Sequence, residues 1–387
     1  MEGARQIDAE LIERGHSVEV VCVDPPGMEF HSTYPATVHA LGPGKLGYRY
    51  SGRLVPWLKR NRKRFDAVIV NGIWQYHALA AWRALAGTDT PYFVFTHGML
   101  DPWFKHHYPL KHIKKWAYWP WADFRVLRDA EAVLFTSEEE RRLARNSFWL
   151  YKCKEIVTAY GTQPPPTDTD GRLANQFRQR HPELQDKRIL LFLSRIHEKK
   201  GCDLLIDAFA KVAFSHPDLH LVLAGPDQTG WTAYLRAQAE SLGITDRVTW
   251  PGMLEGSDKW SAFYAAEIFC LPSHQENFGI VVAEAMGCGK PVLISDKVNI
   301  WREIEAAGAG IVGADTSDAT ASGLELWLNL PAERRRMMGE AARHCFESQF
   351  HISRVAGSIE NIVIDSFNTL GASKSKHQTQ VHDEPSM

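Results

Sequence analysis

The sequence predicts an α/β protein of two doubly wound domains, each a parallel sheet covered by helices. Its 387 residues are too many for one ordinary hydrophobic core. Apolar strands alternate with helices in two series along the chain, and a proline-rich break at 161–171 lies between them. We therefore expect domains at 1–165 and 172–348, a C-terminal helix over 349–370 and a disordered tail over 371–387.

The strands are short apolar runs bounded by turn residues. They are predicted at residues 17–23, 37–41, 66–70, 92–96, 132–136 and 156–158 in the first series, and at 189–193, 219–223, 248–251, 268–271, 292–295 and 310–312 in the second. In open parallel sheets, ligands bind beyond the carboxyl ends of the strands. The segments that follow these runs are therefore the candidate sites.

Composition excludes several classes of protein. A net charge of −2 offers no general attraction for nucleic acid. No apolar run is long enough for a transmembrane helix, and no signal peptide is predicted. The six cysteines show neither a C-x-x-C pair nor a Cys/His metal spacing, so we expect buried free thiols in a reducing cytoplasm.

Two carboxylates, Glu276 and Glu284, flank a strand-to-helix junction in the second series. The backbone amides of Asn277, Phe278 and Gly279 at the helix start can meet an anion, because the first N–H groups of a helix lack internal partners. A long ligand such as a nucleotide sugar fits, with Glu276 at the sugar end and Glu284 at the nucleoside end. The alternative is that Glu276 complements the helix dipole and Glu284 is solvated, although an apolar helix is a poor place for an unpaired carboxylate.

Two cations, Arg195 and Lys200, lie in the polar turn after the strand predicted at 189–193. Cations placed there can stabilise the charge that grows on a diphosphate leaving group. The alternative is a solvated basic turn, since Lys199 is adjacent.

These two segments resemble the signature of retaining glycosyltransferase family 4. The match is carried by LPSHQENFGIVVAEAMGCGKPV, which departs from the family pattern mainly at Cys288, and by SRIHEKKG at 194–201. The resemblance implies the GT-B fold, in which two Rossmann-like domains face each other across a cleft and the last helix crosses back to the first domain. It also implies that Arg195 and Lys200 stabilise the leaving diphosphate, that Glu276 contacts the donor sugar and that Glu284 holds the ribose.

The implied reaction moves a sugar, of hexosyl type, from a nucleoside diphosphate to a hydroxyl of a polysaccharide, oligosaccharide or lipid-linked acceptor, with retention of anomeric configuration. No cofactor is expected beyond the nucleotide sugar itself, and no metal ion. Asp168 and Asp170 match the D-x-D pattern of metal-dependent glycosyltransferases, but they lie among prolines and follow no apolar run. We interpret them as linker residues.

The first half is expected to bind the acceptor. His97 and Gly98 follow the strand predicted at 92–96, where the family frequently carries His-Gly near the transferred sugar. A lone histidine after a strand is also common as a structural residue. Asn71, which follows the preceding strand, is a weaker acceptor-side candidate.

Residues 103–128 contain four tryptophans interleaved with lysines and histidines. This composition is typical of a membrane-interface helix, and it predicts peripheral association with the inner face of a membrane. The alternative is a solvated helix over an aromatic core, because Pro109 and Pro120 interrupt a long amphipathic helix.

The start of the chain departs from the family. Family members begin with an apolar strand and a glycine-rich loop, whereas Met1 here is followed at once by a helix that ends in Arg14-Gly15-His16. The first strand of the N-terminal domain is therefore predicted to be missing, with Gly3 as the last glycine of the loop. Two other functions stay open: another GT-B enzyme, such as a nucleotide-sugar epimerase or a phosphorylase, and a truncated relative without catalytic activity.

Overall fold

A computed structural model describes residues 2–158 and 160–380. Its strands are β1 (Glu19–Cys22), β2 (Thr37–Ala40), β3 (Val68–Asn71), β4 (Tyr92–Phe95), β5 (Ala132–Phe135), β6 (Glu155–Val157), β7 (Arg188–Leu193), β8 (Leu219–Ala224), β9 (Val248–Gly252), β10 (Ile268–Leu271), β11 (Val292–Ser295) and β12 (Gly310–Gly313). Each strand lies within two residues of a predicted one, and all named strands pair in parallel.

The helices cover these sheets. They are α1 (Glu2–Glu13), α2 (Phe30–Thr33), α3 (Leu54–Asn61), α4 (Tyr76–Leu85), α5 (Trp103–His107), α6 (Pro109–Tyr118), α7 (Asp123–Arg128), α8 (Glu138–Ala144), α9 (Arg172–Arg180), α10 (Cys202–Ala213), α11 (Trp231–Ser241), α12 (Gly256–Ala265), α13 (Ile280–Gly287), α14 (Trp301–Ala307), α15 (Ser317–Asn329), α16 (Ala332–Cys345) and α17 (Ile352–Gln380). A π-helical turn at Phe346–Phe350 follows α16.

The chain divides into two compact units, Met1–Tyr160 with Ile352–Met387, and Gly161–His351. In the first unit, β3-β4-β5-β6 form one sheet and β1-β2 form a separate pair. The second unit contains a six-stranded sheet in the order β12-β11-β10-β7-β8-β9. Its central strands β7, β8 and β10 consist almost entirely of buried apolar residues, as parallel strands covered on both faces require.

The proline-rich segment 161–171 belongs to the second unit, so this unit begins before the predicted boundaries at 165 and 172. The reason is local hydrogen bonding. The Tyr264 hydroxyl donates to the Pro166 carbonyl (2.7 Å), and the Asp168 carboxylate accepts from the backbone amides of Leu173 (2.9 Å) and Ala174 (3.3 Å). Asp168 thereby satisfies donors at the start of α9 that the helix itself leaves unpaired.

The last helix belongs to the first unit and packs on α1. Arg14 at the end of α1 donates to the Glu360 carboxylate at 2.7 Å. The helix continues through Gln380, ten residues into the segment predicted as a disordered tail. The rest of that predicted tail, 381–387, lies outside the described residues.

Gly225 provides a test of how tightly the turns after β7 and β8 pack. Its φ is +146°, and a Cβ there would lie 1.7 Å from the Ser194 carbonyl oxygen. We expect Gly225→Ala to lower the free energy of unfolding by about 3 kcal/mol or more, from the steric overlap and the left-handed backbone together. Chemical denaturation measures it.

Gly230→Ala is the matched control. Its φ is +76°, but nothing lies within 4 Å of the added Cβ. We expect this change to cost about 1–2 kcal/mol from backbone strain alone. Equal losses in the two variants would contradict the close approach at Ser194.

Candidate functional site

The candidate site lies where the strand order of the second sheet reverses. Strand β7 pairs with β10 on one side and with β8 on the other, so the chain leaves β7 toward β8 and leaves β10 toward β11. The connections after β7 and β10 therefore run in opposite directions along the carboxyl edge of the sheet. In doubly wound sheets this divergence opens the crevice in which ligands bind.

The turn after β7 brings Lys200 to the segment after β10. Gly201 adopts φ +67°, and a Cβ there would lie 2.2 Å from the Pro272 carbonyl oxygen, so glycine permits the two segments to approach. Lys200 is buried, and its ammonium pairs with the Glu276 carboxylate. Two of the predicted site residues, 76 positions apart in sequence, are therefore in direct contact.

Arg195 lies at the start of the same turn. It is exposed, and within residues 2–158 and 160–380 its guanidinium makes no hydrogen bond or ion pair. A guanidinium without a protein partner presents its N–H donors to solvent, where they can bind a phosphate in bidentate fashion. The predicted basic turn thus contains two different cations, a buried paired Lys200 and an exposed Arg195.

The segment from Glu276 to α13 is fixed by backbone contacts with the loop after β11. The Glu276 amide donates to the Lys297 carbonyl (2.9 Å), and the Asn299 amide donates to the Glu276 carbonyl (3.0 Å). Gly279, in the left-handed conformation at φ +74°, turns the chain into α13. The amide end of α13, where an anion is stabilised, therefore directly follows Glu276.

The two other predicted donor residues of this segment have distinct roles in it. The Phe278 ring is buried and contacts Phe350 edge-on, with centroids 5.5 Å apart. The Asn277 side-chain oxygen lies 3.5 Å from the side-chain nitrogen of Asn299. Phe278 thus anchors the start of α13 in the core, while Asn277 lies nearer the loop after β11.

Glu284 is buried and pairs with Lys259 on α12, with Oε1 and Nζ 2.7 Å apart. The Lys259 ammonium also lies 4.2 Å from the centre of the Trp260 ring. The alternative of a solvated Glu284 is therefore wrong, because burial of a carboxylate on an apolar helix requires a cation. Each of the two glutamates has its own lysine.

The two aspartates of the D-x-D pattern accept hydrogen bonds from backbone amides. Asp168 accepts from two amides at the start of α9, and Asp170 accepts from the Arg172 amide at 3.2 Å. Both residues sit in the segment before α9 rather than after a buried strand. These contacts support their interpretation as linker residues.

In the first unit, His97 follows β4 and lies beside Asn71, the last residue of the neighbouring strand β3. His97 Nε2 is 3.0 Å from the Asn71 side-chain oxygen, which accepts the hydrogen and leaves Nδ1 as an acceptor. The imidazole stacks on Phe95 and meets Tyr160 edge-on. Burial lowers the pKa of His97, so the ring is neutral at neutral pH.

The backbone at His97 is held in an unusual conformation. His97 has φ +47° and Gly98 φ +73°. The buried Glu140 carboxylate accepts from the Gly98 amide (2.5 Å) and the Thr96 hydroxyl (2.7 Å), and its second oxygen accepts from the amide and hydroxyl of Thr136. Residues held at positive φ by surrounding contacts cluster at functional sites.

Both candidate sites also contain residues that the sequence did not indicate. Lys259, Glu140 and Asn299 each contact a predicted site residue, but none lies in a recognisable motif. The only available signal was the need of a buried carboxylate for a partner, which predicts a cation for Glu284 without saying which one. Lys259 lies 25 positions before it.

Both units match known families. Residues 174–345 match the family described as Glycosyl transferases group 1, and residues 2–152 match the family described as Glycosyl transferase 4-like domain. The second unit belongs to the group 1 glycosyltransferase family, and the first unit matches a glycosyltransferase family as well. The resemblance carried by the segments after β7 and β10 is thereby confirmed.

Among relatives of this chain, alpha-D-kanosaminyltransferase of Streptomyces kanamyceticus is 31% identical over 229 residues, 57% of each chain. Anabaena Alr3699/HepE in complex with UDP has a TM-score of 0.76 at 17% identity, covering 94% of this chain and 96% of that one. Sucrose-phosphate synthase of Thermosynechococcus elongatus has a TM-score of 0.72 at 20% identity, covering 95% and 93%. These structures confirm the GT-B fold. The chain spans about half the length of the curated relatives it matches.

Across residues 2–158 and 160–380, no helix combines the length and apolar character that crossing a membrane would require.

The Lys259–Glu284 pair can be tested by stability. Lys259→Met should lower the free energy of unfolding by about 2–3 kcal/mol, because it leaves a buried carboxylate without its cation; the partial exposure of Lys259 keeps the loss below the full value for a buried pair. Adding Glu284→Gln should recover most of the loss. Thermal or chemical denaturation of the two variants measures both effects.

Lys211→Met is the control, since Lys211 pairs with the exposed Asp318. We expect it to change stability by about 0.5 kcal/mol or less. If Lys259→Met behaves like Lys211→Met, the carboxylate of Glu284 does not depend on Lys259.

Proposed function

We propose that this protein transfers a sugar from a nucleoside diphosphate to a hydroxyl group of a saccharide or lipid-linked acceptor, with retention of anomeric configuration. The observation that carries the proposal is the set of groups at the β7/β10 crevice. It combines an exposed unpaired Arg195, a Lys200–Glu276 pair and the amide end of α13. The family match and the UDP bound by Alr3699/HepE support a nucleotide-sugar donor.

The leaving diphosphate is assigned to the cations and to the helix start. As the bond between the sugar and the phosphate breaks, negative charge develops on the phosphate oxygens, and fixed donors at that position lower the barrier. Arg195 is available to bind the diphosphate directly. Lys200 is held in place by its ion pair with Glu276. As negative charge grows on the phosphate, the Lys200 ammonium shifts part of its hydrogen bonding from Glu276 to the phosphate oxygens.

Glu276 and Glu284 are assigned to opposite ends of the donor. Glu276, at the crevice beside Lys200, is assigned to the hydroxyls of the transferred sugar. Glu284, deeper on α13 and held by Lys259, is assigned to the ribose hydroxyls. Because Arg195 and Lys200 supply the positive charge at the diphosphate, the proposed reaction uses no divalent ion there.

The acceptor is assigned to the first unit. The neutral His97 ring donates to Asn71 through Nε2 and retains Nδ1 as a hydrogen-bond acceptor for a sugar hydroxyl. Gly98 keeps that part of the chain free of a side chain, so a ligand can approach the backbone closely.

The alternative functions are not favoured. Both family matches are to glycosyltransferases, not to epimerases or phosphorylases. Arg195 and the ion pairs Lys200–Glu276 and Lys259–Glu284 are all present. A relative that had lost catalytic activity would not need to keep them. Nuclear magnetic resonance of the product distinguishes retention from inversion by the anomeric coupling, and product analysis separates transfer from epimerisation.

The leaving-group assignment predicts the kinetics of two variants. Arg195→Ala and Lys200→Met should each lower kcat about 10²- to 10³-fold, the usual cost of removing one fixed charge stabiliser. Transfer is measured with the nucleotide sugar that, among UDP- and GDP-linked hexoses, raises the melting temperature of the wild type most. Lys199→Ala, in the same turn, is the control and should stay within about threefold of the wild type.

Circular dichroism and melting temperature show whether each variant is folded. If folded Arg195→Ala and Lys200→Met proteins turn over at the rate of the Lys199→Ala control, the diphosphate is bound elsewhere.

We further propose that α6 binds the surface of an anionic membrane. None of its residues is buried, and Leu110, Ile113 and Trp116 are exposed at intervals of three residues. Lys111 and Lys114 lie between them and are also exposed. Such a helix inserts its apolar side chains at the level of the headgroups while its lysines meet anionic lipids. The segment 103–128 is interrupted at both prolines, as the sequence predicts: α5 ends at His107, Pro109 opens α6 in its first turn, and α6 ends at Tyr118 before Pro120.

The membrane proposal predicts sedimentation with vesicles. The wild type should pellet with vesicles that contain phosphatidylserine or phosphatidylglycerol, and less so at high salt, because salt screens surface charge. Leu110→Glu with Ile113→Glu should abolish pelleting. Phe214→Glu, a change at an equally exposed apolar residue of the second unit, should not affect it. Absence of pelleting by the wild type at low ionic strength would contradict the proposal.

A further inference from the structure

Three different metal-ligating side chains meet in the first unit, apart from the residues assigned to donor and acceptor. Cys22 ends β1, Asp24 follows two residues later, and His31 lies on α2. One ligand atom of each lies within 4.8 Å of the other two, and Cys22 Sγ is 3.9 Å from His31 Nε2. All three residues are partly buried.

The backbone between Cys22 and Asp24 is fixed independently of any ligand. The Gly42 amide donates to the Asp24 carbonyl (3.2 Å), and the Gly44 amide donates to the Val23 carbonyl (2.8 Å). A Cβ on Gly42 would lie 2.1 Å from the Val23 oxygen, so the two segments are pressed together. Two of the three side chains therefore project from a preorganised strand end, and less ordering is needed when a ligand binds.

The distances are close to those of a tetrahedral zinc site. Zinc bonds of about 2.3 Å to sulfur and 2.0–2.1 Å to nitrogen place those two atoms about 3.5 Å apart. The Cys22–His31 separation of 3.9 Å is a few tenths of an ångström wider, a movement that side-chain rotation can supply. The described structure contains the ligand types zinc prefers, within reach of one ion.

The charges are also suited to a divalent ion. A thiolate from Cys22 and the carboxylate of Asp24 together neutralise two positive charges, and His31 contributes a neutral nitrogen. The Arg49 guanidinium pairs with one Asp24 oxygen, so this carboxylate already has a cationic partner for which a divalent ion would compete. Burial raises the pKa of the Cys22 thiol, while the Asp24 backbone amide bonded to the sulfur opposes that rise.

We propose that Cys22, Asp24 and His31 bind a zinc ion, with the fourth position open to water. A mixed sulfur, nitrogen and oxygen set favours zinc over magnesium or calcium, which prefer oxygen ligands. The ion ties the end of β1 to α2, an attachment that α2, four residues long, does not provide by itself. The spacing C-x-D-x₆-H contains no Cys/His pair at a finger-like interval, which is why the sequence pattern did not indicate it.

Cobalt(II) titration of the full chain tests the site, because a cobalt–thiolate bond gives a charge-transfer absorption that imidazole and carboxylate ligands do not. Reduced protein freed of metal by a chelator should bind one equivalent of cobalt(II) with this band, and zinc(II) should displace it. Cys22→Ser should lose the band. His31→Gln and Asp24→Asn should weaken cobalt binding at least tenfold. Replacing a residue that only supports a metal ligand already costs about that much affinity, so the loss of a ligand should cost no less.

Two variants make the test specific. Cys153→Ser removes another partly buried thiol and should leave the band unchanged. Arg49→Gln removes the cation that competes for Asp24 and should tighten cobalt binding. The proposal is overturned if the wild type shows no saturable thiolate band, or if the band persists in Cys22→Ser and disappears in Cys153→Ser. Should Cys22→Ser fail to fold, His31→Gln, a change on the short exposed helix, decides by the same titration. None of these residues belongs to the proposed donor site, so transferase activity and cobalt binding can fail independently.

Discussion

The pairing of β7 with β10 is the constraint on which the candidate site depends. Leu190 and Leu191 of β7 pair with Ile268 and Phe269 of β10 in parallel, so both strands end at the same edge of the sheet. Every later contact follows from that register. If the pairing slipped by one residue, the side chains of β10 would exchange faces, and Lys200 would no longer meet Glu276.

The resting site satisfies its buried charges with each other. Lys200 pairs with Glu276 and Lys259 with Glu284, so no buried charge in these pairs depends on a ligand for stability. Under the proposed function, a bound diphosphate enters as a competitor for Lys200 instead of filling an uncompensated positive pocket. Arg195, exposed and unpaired among the described residues, provides the first attraction at little cost. In the proposed reaction, such a site is stable without a ligand and still responds to the charge that develops on the diphosphate.

The sequence predicted the strands better than it predicted the contacts between them. A buried parallel strand such as β8 is a continuous apolar run, so its bounds are visible locally. Contacts such as Lys259 with Glu284 depend on how α12 and α13 pack, which no local pattern encodes. The extension of α17 to Gln380 was missed for a related reason, because a polar composition predicts low burial but does not by itself exclude helix. Pro109 and Pro120 were correctly predicted to interrupt a long helix over 103–128, because proline is excluded from a helix interior but is favoured in the first turn, where Pro109 opens α6.

The residues proposed to bind the acceptor are held by a different kind of interaction. Both carboxylate oxygens of Glu140 accept hydrogen bonds from backbone and hydroxyl donors around His97, and these charge-assisted bonds fix the turn. A left-handed histidine costs backbone energy, and four bonds to one buried carboxylate can offset it. Under the proposed function, the donor residues would exchange partners when an anion binds, whereas His97 would stay in place. That difference is what a transferase requires if the charge changes occur at the leaving diphosphate and the acceptor needs only to be oriented.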